Sequence, residues 1–327
     1  MKAVFLIPTR DGGVYEYRDT PRPSPQGGQV LVRVHAAGTN RGELLALAAY
    51  RSSNPALGPV PSGIEFAGEI VEVGPDATGW HVGERVMGRG PGSYAEYVLA
   101  GSVQLMRIPE TLSWAEAASI PNVFVTAHDA IATNAELQAG ETVVITAASS
   151  GIGTAAIQLA RLLGAKTVIA TTRAAAKSAA LTALGADLVI DTSRPGYIDQ
   201  VQAATDKHGA DVIIDSVGGP MLADNINALA IRGRLVSVGR NAGALGQCDL
   251  DQMALKRASI IGVTFRTRTP QESFLCFERF AAACQGPFRT GALKPVLDRT
   301  FAFDRIVDAH LYMLSDAQVG KIVLTVN

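Results

Sequence analysis

The run Val143-Val144-Ile145-Thr146-Ala147-Ala148-Ser149-Ser150-Gly151-Ile152-Gly153 passes from an apolar strand into a turn of small residues. The amphipathic Thr154-Ala155-Ala156-Ile157-Gln158-Leu159-Ala160-Arg161 follows at once. Ala148, Ser150 and Gly153 fall on the three glycine positions of the G-x-G-x-x-G spacing, with glycine kept only at the last. Small side chains there let the backbone approach a pyrophosphate, which the free N–H groups and positive end of the following helix then hold. The candidate phosphate-binding residues are Ala148, Ser149, Ser150, Gly151, Ile152 and Gly153. The competing reading is a tight turn that serves strand–helix packing alone.

An NAD site of this kind places an Asp or Glu on the adenosine ribose about 20 residues beyond the glycines. Here that stretch reads Thr171-Thr172-Arg173, and the next acid is Asp187. Lys177 follows Arg173 at the start of a predicted helix. Like charges at that helical spacing repel by about 0.2–0.5 kcal/mol unless an anion lies between them. A 2′-phosphate is such an anion, so Thr172, Arg173 and Lys177 point to NADP(H). Two solvated surface cations are the alternative.

The elements that must position these groups alternate in type. Apolar runs at 142–146, 167–170, 188–191, 211–215, 234–238 and 259–263 are separated by Ala-rich helical stretches, which predicts an α/β, doubly wound, six-stranded parallel sheet. Helices over 154–163 and 174–184 are expected to stop at Gly164 and Gly185. Residues 1 to about 100 instead carry short β-rich runs at 3–7, 29–34, 69–73, 84–87 and 93–99, broken by Gly and Pro, as in a barrel-like β domain. A helix over 270–284 and a strand over 321–326 are expected to return the tail to that first domain.

The chain has 327 residues, enough for two cores, with 29 Lys and Arg against 30 Asp and Glu. That balance contains no basic stripe and excludes nucleic acid as the expected partner. Its three cysteines, Cys248, Cys276 and Cys284, have no CxxC spacing and suggest neither a disulfide framework nor structural zinc. No apolar run approaches the roughly 18 residues of a membrane helix, and Ala3-Val4-Phe5-Leu6-Ile7 is too short for an export signal. A soluble, cytoplasmic protein is expected, with no membrane partner.

Further motifs resemble those of the zinc-independent, quinone oxidoreductase-like medium-chain dehydrogenase/reductases. They are His35-Ala36-Ala37-Gly38-Thr39-Asn40, Pro61-Ser62-Gly63-Ile64-Glu65-Phe66-Ala67-Gly68, Gly83-Glu84-Arg85-Val86, Gly92-Ser93-Tyr94-Ala95-Glu96-Tyr97, the 147–153 turn, Asp215-Ser216-Val217-Gly218-Gly219 and Gly320-Lys321-Ile322-Val323-Leu324. The resemblance implies a GroES-like catalytic domain over 1–122, completed by 268–327, a Rossmann NADP-binding domain over 123–267, and an active site in the cleft between them. It implies that Asn40 orients substrate or nicotinamide and that Thr126 lies near the nicotinamide; Tyr50, in the segment after Asn40, is a candidate hydrogen-bond donor. Each also has a plain reading as a turn, edge-packing or helix-packing residue. Val217, Val238, Gly239 and Lys321 are implied cofactor contacts, although Lys321 could equally cap a strand. Glu65 is expected to be structural. A homodimer joined through the edge near Ser259-Ile260-Ile261-Gly262-Val263 is also implied. The sequence departs from several relatives at Thr192, where they carry a Tyr at the adenosine end.

In the zinc-dependent branch a Cys stands at the place of Asn40 and a His at that of Ile64, so no metal is expected. Without one, hydride must go to an acceptor that is already electrophilic, with hydrogen bonds to its developing oxyanion. Quinones and α,β-unsaturated carbonyls meet that requirement. The expected activity is NADPH-dependent reduction of such small molecules. A non-catalytic NADPH-binding structural or regulatory protein and a zinc-type alcohol dehydrogenase are the alternatives. None of the five histidines has a persuasive acid–base partner in the sequence.

Overall fold

The computed structural model describes residues 1–9, 12–44 and 58–326. They form two compact units, Met1–Asn122 with Pro270–Asn327, and Val123–Thr269. In the first, the strands in chain order are β1 (Lys2–Thr9), β2 (Gly12–Asp19), β3 (Gln29–Gly38), β4 (Val60–Pro61), β5 (Glu65–Val73), β6 (Arg85–Arg89), β7 (Tyr97–Gly101) and β8 (Leu105–Arg107). One antiparallel sheet runs β2-β1-β4, and a second runs β3-β5-β6-β8 with β7 also paired to β3. Alternation explains the second sheet: Val30, Val32 and Val34 of β3 enter one core with Phe66, Ile70, Tyr94 and Val98. The expected strand over 93–99 begins only at Tyr97, because residues before it follow β1 instead, with Val4 N–H donating to the Tyr94 carbonyl and Glu96 N–H to that of Lys2.

The second unit holds β9 (Thr142–Ile145), β10 (Thr167–Thr172), β11 (Leu188–Asp191), β12 (Ala210–Asp215), β13 (Leu229–Ser237) and β14 (Ser259–Gly262), all parallel, in the order β11-β10-β9-β12-β13-β14. This is the expected doubly wound sheet, and its order reverses between β9 and β12. The helix Gly151–Leu162 covers it and ends before Gly164, which takes φ +87°. The stretch over 174–184 is not one helix: a 3-10 turn, Ala175–Lys177, precedes the short helix Ser178–Ala183.

The chain then returns to the first unit through the helix Pro270–Thr290, six residues longer than expected. Its buried stripe of Cys276, Phe280, Cys284 and Phe288 continues past Pro287, so burial carries the helix beyond a residue that cannot donate a backbone hydrogen bond. Finally β15 (Leu297–Ala302) and β16 (Lys321–Thr325) pair in parallel, and β16 lies antiparallel to β3, bringing residue 323 opposite residue 38.

Candidate active site

In the second unit, parallel strands bring the candidate cofactor residues to one edge of the sheet. Ala148 to Gly153 follow β9, Thr172 ends β10 with Arg173 next to it, Val217 follows β12, and Val238 and Gly239 follow β13. Ser150 is the N-cap of the helix Gly151–Leu162, its Oγ accepting the Gly153 N–H at 3.1 Å. Ala148 N–H donates to the Thr171 carbonyl at 2.9 Å, tying the turn to β10. Ala147 bends the chain with φ +47°. A Cβ on Gly153 would come within 2.5 Å of the Ala148 backbone, so the third small position is dictated by the approach of helix to turn. The turn therefore presents the start of a helix, ringed by small residues, at the carboxyl edge of the sheet, which fits a pyrophosphate.

Arg173 lies in the bend after β10, outside the following helix, and Lys177 closes the 3-10 turn. Arg173 and Lys177 therefore do not stand one turn apart on a helix, as their spacing predicts; both lie beyond the end of β10. Thr172 is buried, and its carbonyl accepts the Thr192 N–H at 2.9 Å. Beyond β12, buried Asp215 accepts from Thr146 Oγ at 2.7 Å and from the Val217 and Gly218 N–H groups at 3.2 and 2.8 Å. Burial pushes its carboxyl above the usual range, and these hydrogen bonds oppose the shift. Asp215 thereby locks the turn that presents Val217. Thr126, on the helix Pro121–His128, is 8% exposed.

The first unit contains a buried polar cluster centred on Asn40. Its Nδ2 donates to Glu65 Oε1 at 2.8 Å, while its Oδ1 accepts from Lys321 Nζ and Asn122 Nδ2, both at 2.8 Å. Lys321 Nζ donates also to Glu65 Oε1 at 2.7 Å and to the Thr39 carbonyl at 2.5 Å. The Asn122 backbone N–H caps Glu65 Oε2 at 2.7 Å. Gly38 makes the room, since a Cβ there would lie 2.5 Å from Glu65 Oε1. The Asn40 N–H itself donates to Glu43 Oε2 at 2.7 Å, and the Tyr94 hydroxyl donates to the same oxygen at 2.5 Å.

The model of the alcohol dehydrogenase GroES-like domain matches residues 26–110, and that of the zinc-binding dehydrogenase family matches 151–282. The quinone oxidoreductase of Homo sapiens is 33% identical over 328 residues, covering 99% of this chain and 97% of its own. The chain belongs to the quinone oxidoreductase-like medium-chain dehydrogenase/reductases. Among solved structures, an NAD-dependent alcohol dehydrogenase is 28% identical with a TM-score of 0.87 over 100% of both chains. A mycobacterial protein complexed with NADPH is 25% identical with a TM-score of 0.87, covering 99% of this chain and 100% of its own.

Within this quinone oxidoreductase-like chain, Asn40 and Lys321 come together in one buried cluster. The Lys321 ammonium group donates to Thr39, Asn40 and Glu65, which matches its three hydrogens. Tyr50 lies outside the described residues. Asn122, Glu43 and Tyr94 were not anticipated, and Glu65 is an ion-pair partner of Lys321. The available signal was two opposite charges, each set in an apolar strand, since such residues are almost never fully buried unless paired. The place of a zinc-branch cysteine holds an amide whose oxygen already accepts from a lysine ammonium and an asparagine N–H. Among the described residues no three His, Cys, Asp or Glu side chains gather as a metal site.

Proposed function

We propose that the chain is a zinc-independent oxidoreductase that takes NADP(H) and reduces quinones or α,β-unsaturated carbonyls. The observation that carries this reading is Asn40: its oxygen is committed to Lys321 and Asn122, so residue 40 can serve an acceptor only as an N–H donor. Such a donor stabilises an oxyanion on a substrate that is already electrophilic, and an unactivated alcohol gains nothing from it. When bound, the reduced nicotinamide supplies the hydride. The residues Ala148, Ser149, Ser150, Gly151, Ile152 and Gly153 would hold the pyrophosphate, and Thr172, Arg173 and Lys177 the 2′-phosphate. Val217, Val238 and Gly239 would line the cofactor at the carboxyl edge of the sheet, with Thr126 near the nicotinamide.

The test is oxidation of NADPH and NADH, followed separately with 1,4-benzoquinone, 9,10-phenanthrenequinone and a short enone, with metal analysis of the same preparation. Turnover of NADPH with at least one acceptor, in metal-free protein, is expected. Tight NADPH binding with no turnover across the panel would leave a non-catalytic binder and sink the reading.

We also propose a homodimer joined through β14. This strand is an edge of its sheet, and Ile260 on it is 41% exposed, so pairing with a second copy would cover an open ladder. Sedimentation as a monomer at micromolar concentration refutes it.

A further inference from the structure

We propose that Lys321 and Glu65 act as a positioning pair that fixes which way the Asn40 carboxamide faces, so that residue 40 presents an N–H and is selective for an oxygen acceptor. This deepens the reading above and rests on it.

An asparagine amide has two nearly isosteric ends of opposite hydrogen-bonding character, and only its surroundings decide which end is which. Around Asn40 they decide it by charge. The Lys321 ammonium, with three donors and no acceptor, stands 2.8 Å from Oδ1, and Asn122 Nδ2 adds a second donor at the same distance. The Glu65 carboxylate stands 2.8 Å from Nδ2. Turning the amide over would set its NH2 against the ammonium and against the Asn122 NH2, and its oxygen against the carboxylate. Three favourable contacts would become three repulsive ones in a place where little water screens them.

The count of donors and acceptors then closes. The two lone pairs of Oδ1 are taken by Lys321 and Asn122, one Nδ2 hydrogen is taken by Glu65, and the second Nδ2 hydrogen has no partner among the described residues. Asn40 remains 9% exposed. The one hydrogen-bonding function left to this side chain is a donor. Its complement is a carbonyl, quinone or carboxamide oxygen. The main chain of Asn40 is held as well, through its N–H to Glu43 Oε2.

A steady-state cycle on the full chain tests this, comparing wild type, Asn40→Ala, the neutral pair Lys321→Met/Glu65→Gln, and the triple variant. Each is measured for kcat and KM with a quinone acceptor, for NADPH Kd by fluorescence, and for Tm. Asn40→Ala and the neutral pair are each expected to lower kcat/KM by about tenfold or more, with NADPH Kd within about threefold of wild type. The triple variant should be no worse than Asn40→Ala within about twofold, because once the amide is gone the pair has nothing to orient. A neutral pair with undiminished kcat/KM overturns the proposal, as does a triple variant in which the two losses multiply, the result of a purely structural role. Full activity of Asn40→Ala overturns the assignment of Asn40 to the acceptor, whatever the pair does. If the neutral pair does not fold, Asn122→Ala takes its place in the cycle. It removes one donor to Oδ1 without touching a charge and should lower kcat/KM by about threefold in wild type but not in Asn40→Ala, with any loss in both backgrounds refuting the proposal.

Discussion

Nζ of Lys321 lies 2.7 Å from Oε1 of Glu65, and the two side chains keep 5% and 0% of their surface exposed. Burying both charges is tolerable only because neither relies on the other alone. The ammonium also reaches the Thr39 carbonyl and Asn40 Oδ1, and the carboxylate also accepts from Asn40 Nδ2 and the Asn122 N–H. Desolvation of such a pair costs several kcal/mol per ion, recovered only when every donor and acceptor is matched.

Lys321→Met should therefore destabilise the protein by about 3–5 kcal/mol, because it leaves the Glu65 carboxylate buried without its counter-ion. Replacing both charges, as Lys321→Met/Glu65→Gln, should recover more than half of that loss. Urea unfolding of the three proteins measures it. A single variant within about 1 kcal/mol of wild type would mean that the pair contributes little to folding.

Arg173→Ala should raise the NADPH Kd by about tenfold to a hundredfold, the worth of a hydrogen bond to a charged group, and leave the NADH Kd within about twofold. Titration of cofactor fluorescence measures both. The assignment fails if wild type binds NADH as tightly as NADPH and the variant binds NADPH as wild type does. Lys177→Ala should act in the same direction.

Gly153→Ala tests the turn directly. The new methyl would fall within 2.5 Å of the Ala148 Cα and carbonyl oxygen, and backbone cannot yield there as a flexible side chain could. The helix start must move, displacing Ser150, whose Oγ caps it. A loss of about 2 kcal/mol or more in stability is expected, with a larger proportional loss in NADPH affinity. Wild-type affinity in the variant would show that the first helical turn does not hold the cofactor.

The six parallel strands were legible because each is a short apolar run closed by Gly or polar residues, and strands of a parallel sheet need no alternation to be recognised. The stretch at 174–184 misled because Ala-rich sequence favours helix throughout, while the bend at Arg173 and the 3-10 turn at Ala175–Lys177 come from tertiary context. The turn at 147–153 could be read because its residues are adjacent. The cluster around Asn40 could not, because Asn40, Glu65, Asn122 and Lys321 meet only through strand register: β16 must pair with β3, and β3 with β5, before the three side chains of those strands and their loop share one point.

Glu43 makes part of the stability pH-dependent. Its Oε1 has no partner among the described residues, and burial pushes the carboxyl up to about 7, against the opposing hydrogen bonds from Tyr94 and the Asn40 N–H and the charge of Lys321, with Glu65 adding to the upward shift. A raised carboxyl favours the protonated form in the folded state, so its contribution is complete below the ordinary value of 4.5 and is lost as pH rises through about 7. Glu43→Gln, neutral at every pH, should gain stability relative to wild type between about pH 5 and 8, with the gain vanishing near pH 4. Tm measured across that range checks it, and a difference independent of pH would show that Glu43 does not titrate there.

His310 acts in the opposite direction. Both its ring nitrogens are buried with no partner among the described residues, and its ring meets the edge of Tyr15 at 5.1 Å. Burial pushes its pKa down from 6.5 to about 4, so the fold holds the neutral ring. An unfolded chain takes up a proton near 6.5 that the native one refuses, and stability therefore falls as pH drops from about 6.5 through about 4. The interval of 6.5 − 4 = 2.5 pH units, at about 1.4 kcal/mol per unit, caps the loss at about 3.5 kcal/mol. His310→Phe keeps an aromatic ring beside Tyr15 and removes the titration. Guanidinium unfolding at pH 7 and pH 4.5 should show wild type losing more stability than the variant over this interval, by about 2 kcal/mol. Equal losses in the two proteins would assign the acid sensitivity to other groups.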